Sequence, residues 1–285
     1  MAFLSQLSNK NKSGSERKFY FMAGLPRSGS SLLSALLNQN PRFYSGPISP
    51  VLSIMRNLES FIPQDEFYQA SPKPSQAHEI LSSLIHHYHN DTDRTVVFDK
   101  NRMWPKYINY IEGYIKQKAK IICPVRNIDE ILVSFLKVIH NNKNQEVFSS
   151  IDKDVINENV PLTDYNRCKL LLSPKWNLVL SIDAMKTAVN NNLRDRLLFV
   201  EYRDMVLNPV STFSRIYNFL EEDYYQHDFQ TIKSKNEVKD EEYYKLKGLH
   251  DVREKLEITS DNPRNYLTED IIAECRQLEF WRTLT

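Results

Sequence analysis

The stretch FYFMAGLPRSGSSLLSALL, residues 19–37, decides the fold. An apolar, aromatic-rich run ends at Gly24, four residues lead to a second glycine, Gly29, and beyond Ser30 leucines recur at helical spacing. The order is strand, glycine-bounded loop, helix start. Two glycines let successive backbone N–H groups turn inward, and the following helix adds the positive end of its dipole, so such a loop can hold an anionic phosphate. The spacing is that of GxxxxGK[ST], with Ser30 where the lysine would stand. That lysine serves the outer phosphates of a nucleoside triphosphate. Here the cation sits inside the loop at Arg27, whose planar fork suits two oxygens of a phosphate or sulfate. Pro26, Arg27, Ser28, Gly29, Ser30 and Ser31 are therefore the candidate anion-holding residues.

Outward from this loop, apolar runs alternate with segments of helical period: TVVFDK, YINYIEGYIK, KIICPV and DEILVSFLKVI follow in order. RLLFVEY, residues 196–202, lies between two further helical stretches that Ser173-Pro174 and Asn208-Pro209 are expected to begin. Strand then helix, repeated, implies βαβ units and hence an α/β fold, a central parallel sheet flanked by helices. Residues 141–165 and 222–262 are polar and aperiodic, and read as long connections or lids. A final helix begins at Thr268. Residues 1–17, rich in Ser, Asn and Lys, read as a flexible leader, with a single domain over 18–285.

Composition narrows the function classes. With 37 Lys+Arg against 36 Asp+Glu, the net charge of +1 offers no one-signed field for nucleic acid or a membrane surface, so any anion site must be local. No apolar run is long enough to cross a bilayer. The three cysteines, Cys123, Cys168 and Cys275, are widely spaced and odd in number, which fits a reducing, cytoplasmic compartment.

The second chemical element is Pro124-Val125-Arg126-Asn127 through Ser134. Arg126 ends a strand, where open parallel sheets bind ligands, and Ser134 lies two helical turns on. Asn127 and Glu130 form a capping-box variant. His86, His87 and His89 with Asp91 and Asp93 read as a polar helix end rather than a metal site, since no further ligand pair stands at metal spacing.

Together the two elements resemble the PAPS-dependent sulfotransferase family, whose loop reads PRSGTT or PKSGTT and whose second motif is an arginine followed eight residues later by a serine, as Arg126 and Ser134 are. A third block, Trp176 and then LLFVEYRDMVLNPVSTFSRIYNFL, is similar to the family's Tyr-Glu-Asp-Leu segment, and the PRSG wording is nearest the tyrosylprotein and Golgi branch. The resemblance spans about residues 18–221. It implies a P-loop-like sulfotransferase fold and sulfuryl transfer from 3′-phosphoadenosine 5′-phosphosulfate (PAPS) to a hydroxyl or amine, with 3′,5′-ADP as product. It further implies that Arg27 to Ser31 hold the 5′-phosphosulfate, that Arg126 and Ser134 hold the 3′-phosphate, and that Tyr202 lies near the nucleotide. Lys100 would stabilise the transferring sulfonate with Arg27, and Lys247 and Gly248 would belong to a loop closing over the 3′-phosphate.

Sulfuryl transfer needs in-line geometry, charge stabilisation and a base on the acceptor hydroxyl. One sulfonate and a monophosphate leaving group carry less charge than a triphosphate, so no metal is expected. The carboxylate of the protein-tyrosine branch falls at Pro47, which leaves His250 as the first candidate for the base and Asp99 as the second. The acceptor, whether small molecule, lipid, glycan or peptide, is not named by any motif, nor is the oligomeric state. The competing readings are a P-loop kinase or nucleotide hydrolase and a non-catalytic 3′,5′-ADP-binding protein.

Overall fold

The computed structural model describes residues 17–142, 148–234, 238–258 and 261–284; the leader expected over 1–17 lies, apart from Arg17, outside the described residues. Five strands, β1 (Lys18–Met22), β2 (Phe43–Ile48), β3 (Val96–Lys100), β4 (Ile121–Val125) and β5 (Leu197–Glu201), form one sheet in the order β2-β3-β1-β4-β5. All four pairings are parallel. Alternation along β1 explains the layering: Phe19 and Phe21 pack with Val97, Ile121, Trp104 and Ile131 on one face, while Tyr20 and Met22 pack with Phe98, Leu33, Leu36 and Phe213 on the other. Both faces are covered, as a parallel sheet requires.

This strand order places the site. The chain leaves β1 through helix Ser30–Leu37 toward β2 on one side, and leaves β4 through helix Ile128–Asn141 toward β5 on the other. The connections diverge between two adjacent strands, which opens a crevice at their carboxyl ends. Gly24 lets the strands meet there: a Cβ on it would lie 2.3 Å from the Pro124 carbonyl oxygen, and the Leu25 N–H donates to that same oxygen at 3.0 Å.

Several local expectations are corrected. β2 and helix Val51–Phe61 lie where no element is expected from the sequence, in a stretch that contains Gly46, Pro47, Ser49 and Pro50. An edge strand tolerates such residues because one side of its backbone needs no partner. Residues 141–165 are more than a connection, since they include helix Ser150–Asn157, whose N-cap Ser149 accepts the Asp152 N–H at 3.0 Å, and the start of helix Asp164–Leu171. Ser173 and Pro174 do not begin a helix. The Trp176 N–H donates back to the Ser173 carbonyl, closing a turn, and the helix runs Asn177–Asn190 with Trp176 as N-cap. Asn208 and Pro209 do open helix Pro209–Leu220, and Thr268 caps helix Glu269–Leu278. The 222–262 connection is mostly irregular among its described residues, with one short helix, Asp240–Tyr244.

Candidate active site

The loop after β1 turns through two left-handed residues, Arg27 at φ 58° and Gly29 at φ 88°. Gly29 takes this conformation without strain, whereas a side-chain-bearing residue such as Arg27 stores about 1–2 kcal/mol there, as functional sites often do. Ser28 is fully buried, and its hydroxyl contacts the carbonyls of Leu25 at 2.6 Å and Pro124 at 2.9 Å, which fastens the loop to the end of β4. Helix Ser30–Leu37 starts with no side-chain cap on its first N–H groups, and Ser30 and Ser31 line the crevice. A helix start of this kind favours an anion.

Arg126 and Ser134 arrive from β4 and the helix after it. The Arg126 Nε donates to Glu130 Oε2 at 2.9 Å, Nη1 reaches the Arg27 carbonyl at 3.4 Å, and its guanidinium carbon stands 4.5 Å over the Tyr202 ring. The capping-box expectation is thereby corrected: Glu130 is drawn to Arg126 and to the Asn127 amide at 3.2 Å, and the helix's first N–H, that of Ile128, is satisfied by Glu279 Oε1 at 2.7 Å. Arg27 crosses the crevice, donating from Nε to Ser134 Oγ at 3.0 Å and from Nη1 to the Leu249 carbonyl. Burial, and next the charge of Arg126, hold the Arg27 pKa below its usual value. Two guanidiniums that repel one another across a half-buried crevice form a site whose electrostatics favour an anion.

The crevice is a cavity of about 980 Å³, within the range of nucleotide and drug-sized sites. Pro26, Arg27, Gly29, Ser30, Ser31, Arg126, Ser134, Tyr202 and His250 all line it; buried Ser28 lies behind the wall. Residues from three separate regions of the sequence thus meet around one space. The model of the Sulfotransferase family matches residues 20–226, most of the chain and all three of these elements up to the late connection. The chain belongs to the sulfotransferase family. A relative, the protein-tyrosine sulfotransferase of Drosophila melanogaster, is 23% identical over 207 residues, 72% of this chain but only 38% of the fly protein. Among solved structures, sulfotransferase STF9 from Mycobacterium avium is 14% identical, covering 95% of this chain and 78% of its own, at a TM-score of 0.49. Mouse sulfotransferase SULT7A1, solved complexed with PAP, is 15% identical, covering 94% of this chain and 85% of its own, also at 0.49.

The remaining candidates fall differently in this chain. Lys100 ends β3 beside the loop, its register partner on β1 being Met22. Burial, and then the charge of Arg102, bring the Lys100 pKa down to about 7. Arg102, two residues on, reaches the cavity itself and is a cation that sequence reasoning missed, although it follows the same strand end. Asp99 is removed as a base candidate. It is fully buried on the opposite face of β3, where Oδ1 accepts from Trp104 Nε1 and Oδ2 pairs with His89 Nε2, both at 2.8 Å. His89 is thus held in the interior, and His86 packs edge-on to Phe19 at 4.7 Å, so these histidines serve packing. Among the described residues no group of three or more His, Cys, Asp or Glu could hold a metal ion.

Lys247 and Gly248 do not line the cavity. The Lys247 main chain is tied through its N–H and carbonyl to the Asn142 side chain, at 2.9 and 3.2 Å. Arg253 and Lys255, a few residues later, line the cavity in their stead. In sequence they read only as charges in an aperiodic segment, so no local signal distinguishes them.

His250 lines the cavity beside Arg102 and Tyr244. Its Nδ1 lies 2.5 Å from Asp240 Oδ1, and its main-chain N–H donates to Asp240 Oδ2 at 2.7 Å. Burial foremost, aided by the Lys100 and Arg102 charges and opposed by Asp240, holds the His250 pKa below its ordinary value. A lowered pKa favours the neutral imidazole near pH 7.

Proposed function

We propose that this chain transfers a sulfuryl group from PAPS to the hydroxyl, or an amine, of an acceptor, releasing 3′,5′-ADP. The observation that carries the reading is the convergence of Arg27, Arg126 and Arg102 on one crevice whose glycine-bounded loop has serine in place of the triphosphate lysine, with Lys100 partly buried close to Arg102 behind it. In this reading the loop backbone and the hydroxyls of Ser30 and Ser31 hold the 5′-phosphosulfate, and Arg126 with Ser134 takes the 3′-phosphate. Tyr202, fixed beneath Arg126, flanks the nucleotide. Arg253 and Lys255 take over the closing role that the sequence suggested for Lys247 and Gly248.

PAPS, when bound, supplies the sulfonate and a good leaving group. Arg27 and Lys100 would offset the charge that develops on the peripheral and bridging oxygens, and His250 would accept the proton of the attacking hydroxyl. The name of the fly relative favours a peptide hydroxyl as acceptor, while Ile48, Tyr243 and Tyr244 give the same cavity an apolar rim. A cytoplasmic site of action fits three buried cysteines with no disulfide.

The test is calorimetric titration of the protein with 3′,5′-ADP and, separately, with ATP and magnesium. Binding of 3′,5′-ADP without binding of ATP is the expected outcome. ATP binding alone would replace the reading with that of a P-loop kinase or hydrolase. Binding of 3′,5′-ADP with no sulfate transfer across an acceptor panel would make the chain a binding protein.

A further inference from the structure

The late connection contains a carboxylate that the sulfotransferase reading does not use. Asp240 opens the short helix Asp240–Tyr244, yet it is only 7% exposed, although acidic residues at helix starts are usually solvated. Both of its oxygens are committed to one residue ten positions on. Oδ1 meets the His250 ring at Nδ1, and Oδ2 accepts the His250 main-chain N–H. The other ring nitrogen, Nε2, has no hydrogen-bond partner among the described residues, while the ring forms part of the cavity wall. The loop is held from a second direction as well, because Arg27 of the anion loop donates to the carbonyl of Leu249, the neighbour of His250. Tyr244, on the same short helix as Asp240, places its ring 6.0 Å from the imidazole.

We infer that Asp240 is a positioning residue that fixes the tautomer of His250, with the proton on Nδ1 and Nε2 bare toward the cavity. The inference rests on the sulfuryl-transfer reading for its use but not for its geometry. A carboxylate only accepts, so the nitrogen facing it must carry the proton in the neutral ring. The bare Nε2 can then take the proton of an acceptor hydroxyl. In that step the acceptor O–H bond breaks and its proton passes to Nε2. The acceptor oxygen bonds to the sulfur of PAPS, and the sulfur–oxygen bond to the 5′-phosphate breaks with its electron pair leaving on 3′,5′-ADP. The imidazolium so formed lies against the Asp240 carboxylate, which stabilises it, and afterwards loses the proton to water.

The two-pronged grip predicts the effect of Asp240→Asn. An asparagine has one acceptor and one donor end. With its oxygen held by the His250 main-chain N–H, its NH₂ faces Nδ1, which becomes the acceptor and drives the proton to Nε2. The experiment is nitrogen-15 NMR on histidine-labelled protein at pH 7.5, with His250→Gln used to assign the signal and 3′,5′-ADP titrations run alongside. The wild type is expected to show His250 protonated on Nδ1 alone. Asp240→Asn is expected to show it protonated on Nε2, with 3′,5′-ADP affinity within about twofold of wild type. A wild-type ring protonated on Nε2, or a tautomer unchanged in the variant, overturns the inference, and the wild-type spectrum decides even if the variant fails to fold. Loss of 3′,5′-ADP binding by the wild type would instead count against the sulfotransferase reading and leave the tautomer result standing.

Discussion

Replacing Arg126 by alanine tests how the site divides its two anionic groups. A guanidinium has five N–H donors. In Arg126 one goes to Glu130 at 2.9 Å and a second reaches the Arg27 carbonyl at 3.4 Å, which leaves three for a ligand. A phosphate dianion engaging two of them forms charge-assisted bonds, each with a net value of about 1.5–3 kcal/mol. Glu130 already shares the cation, so the lower part of the summed range applies. The expected loss is about 3–4 kcal/mol, or roughly 140- to 700-fold in Kd at about 1.4 kcal/mol per decade. Calorimetric titration with 3′,5′-ADP should show that loss, whereas 5′-AMP, which lacks the 3′ group, should weaken by no more than about threefold. A thermal melt accompanies it, because the alanine also removes the cation above Tyr202 and leaves Glu130 with only the Asn127 amide at 3.2 Å. Equal losses for both nucleotides in a folded variant would refute the assignment of Arg126 to the 3′-phosphate.

Three further outcomes are expected. The Lys100 pKa is depressed to about 7, so its cationic form dominates below that pH and is lost above it; PAPS affinity should fall as pH rises from about 6 to about 8 and stay flat in Lys100→Met, and identical slopes would remove Lys100 from the site. Asp99→Ala strands Trp104 and His89 in the interior and should lower urea-unfolding stability by about 3–5 kcal/mol with 3′,5′-ADP affinity retained; an unchanged stability would contradict the buried pairing. In Gly29→Ala the new Cβ would meet Tyr202 Cδ2 at 2.7 Å and Met205 Cε at 2.8 Å at a φ of +88°, which displaces the ring beneath Arg126; 3′,5′-ADP affinity should drop at least about tenfold, and wild-type affinity would mean that loop and ring are not coupled.

The sequence by itself determined the parallel α/β class, four of the five strands, and the loop–Arg126–Ser134 set. These are encoded by neighbours: a strand running into glycines and a helix start, or a cation at a strand end eight residues before a serine, are local patterns. It did not determine β2, because an edge strand can carry Gly46 and Pro47 that locally read as a turn. It ranked His250 before Asp99 as the base without a local signal that separates them, since each is a titratable residue in an uninformative context. The tertiary structure separates them. Alternation on β3 turns Asp99 away from the crevice into a pairing with His89 and Trp104, while the late connection folds back so that Asp240 grips His250 at the cavity wall. The same folding-back sets Arg253 and Lys255 at the cavity in place of Lys247 and Gly248. The contact that docks this connection on the anion loop, Arg27 to Leu249, spans 222 residues and leaves no period or spacing in the chain, so only packing brings the two together.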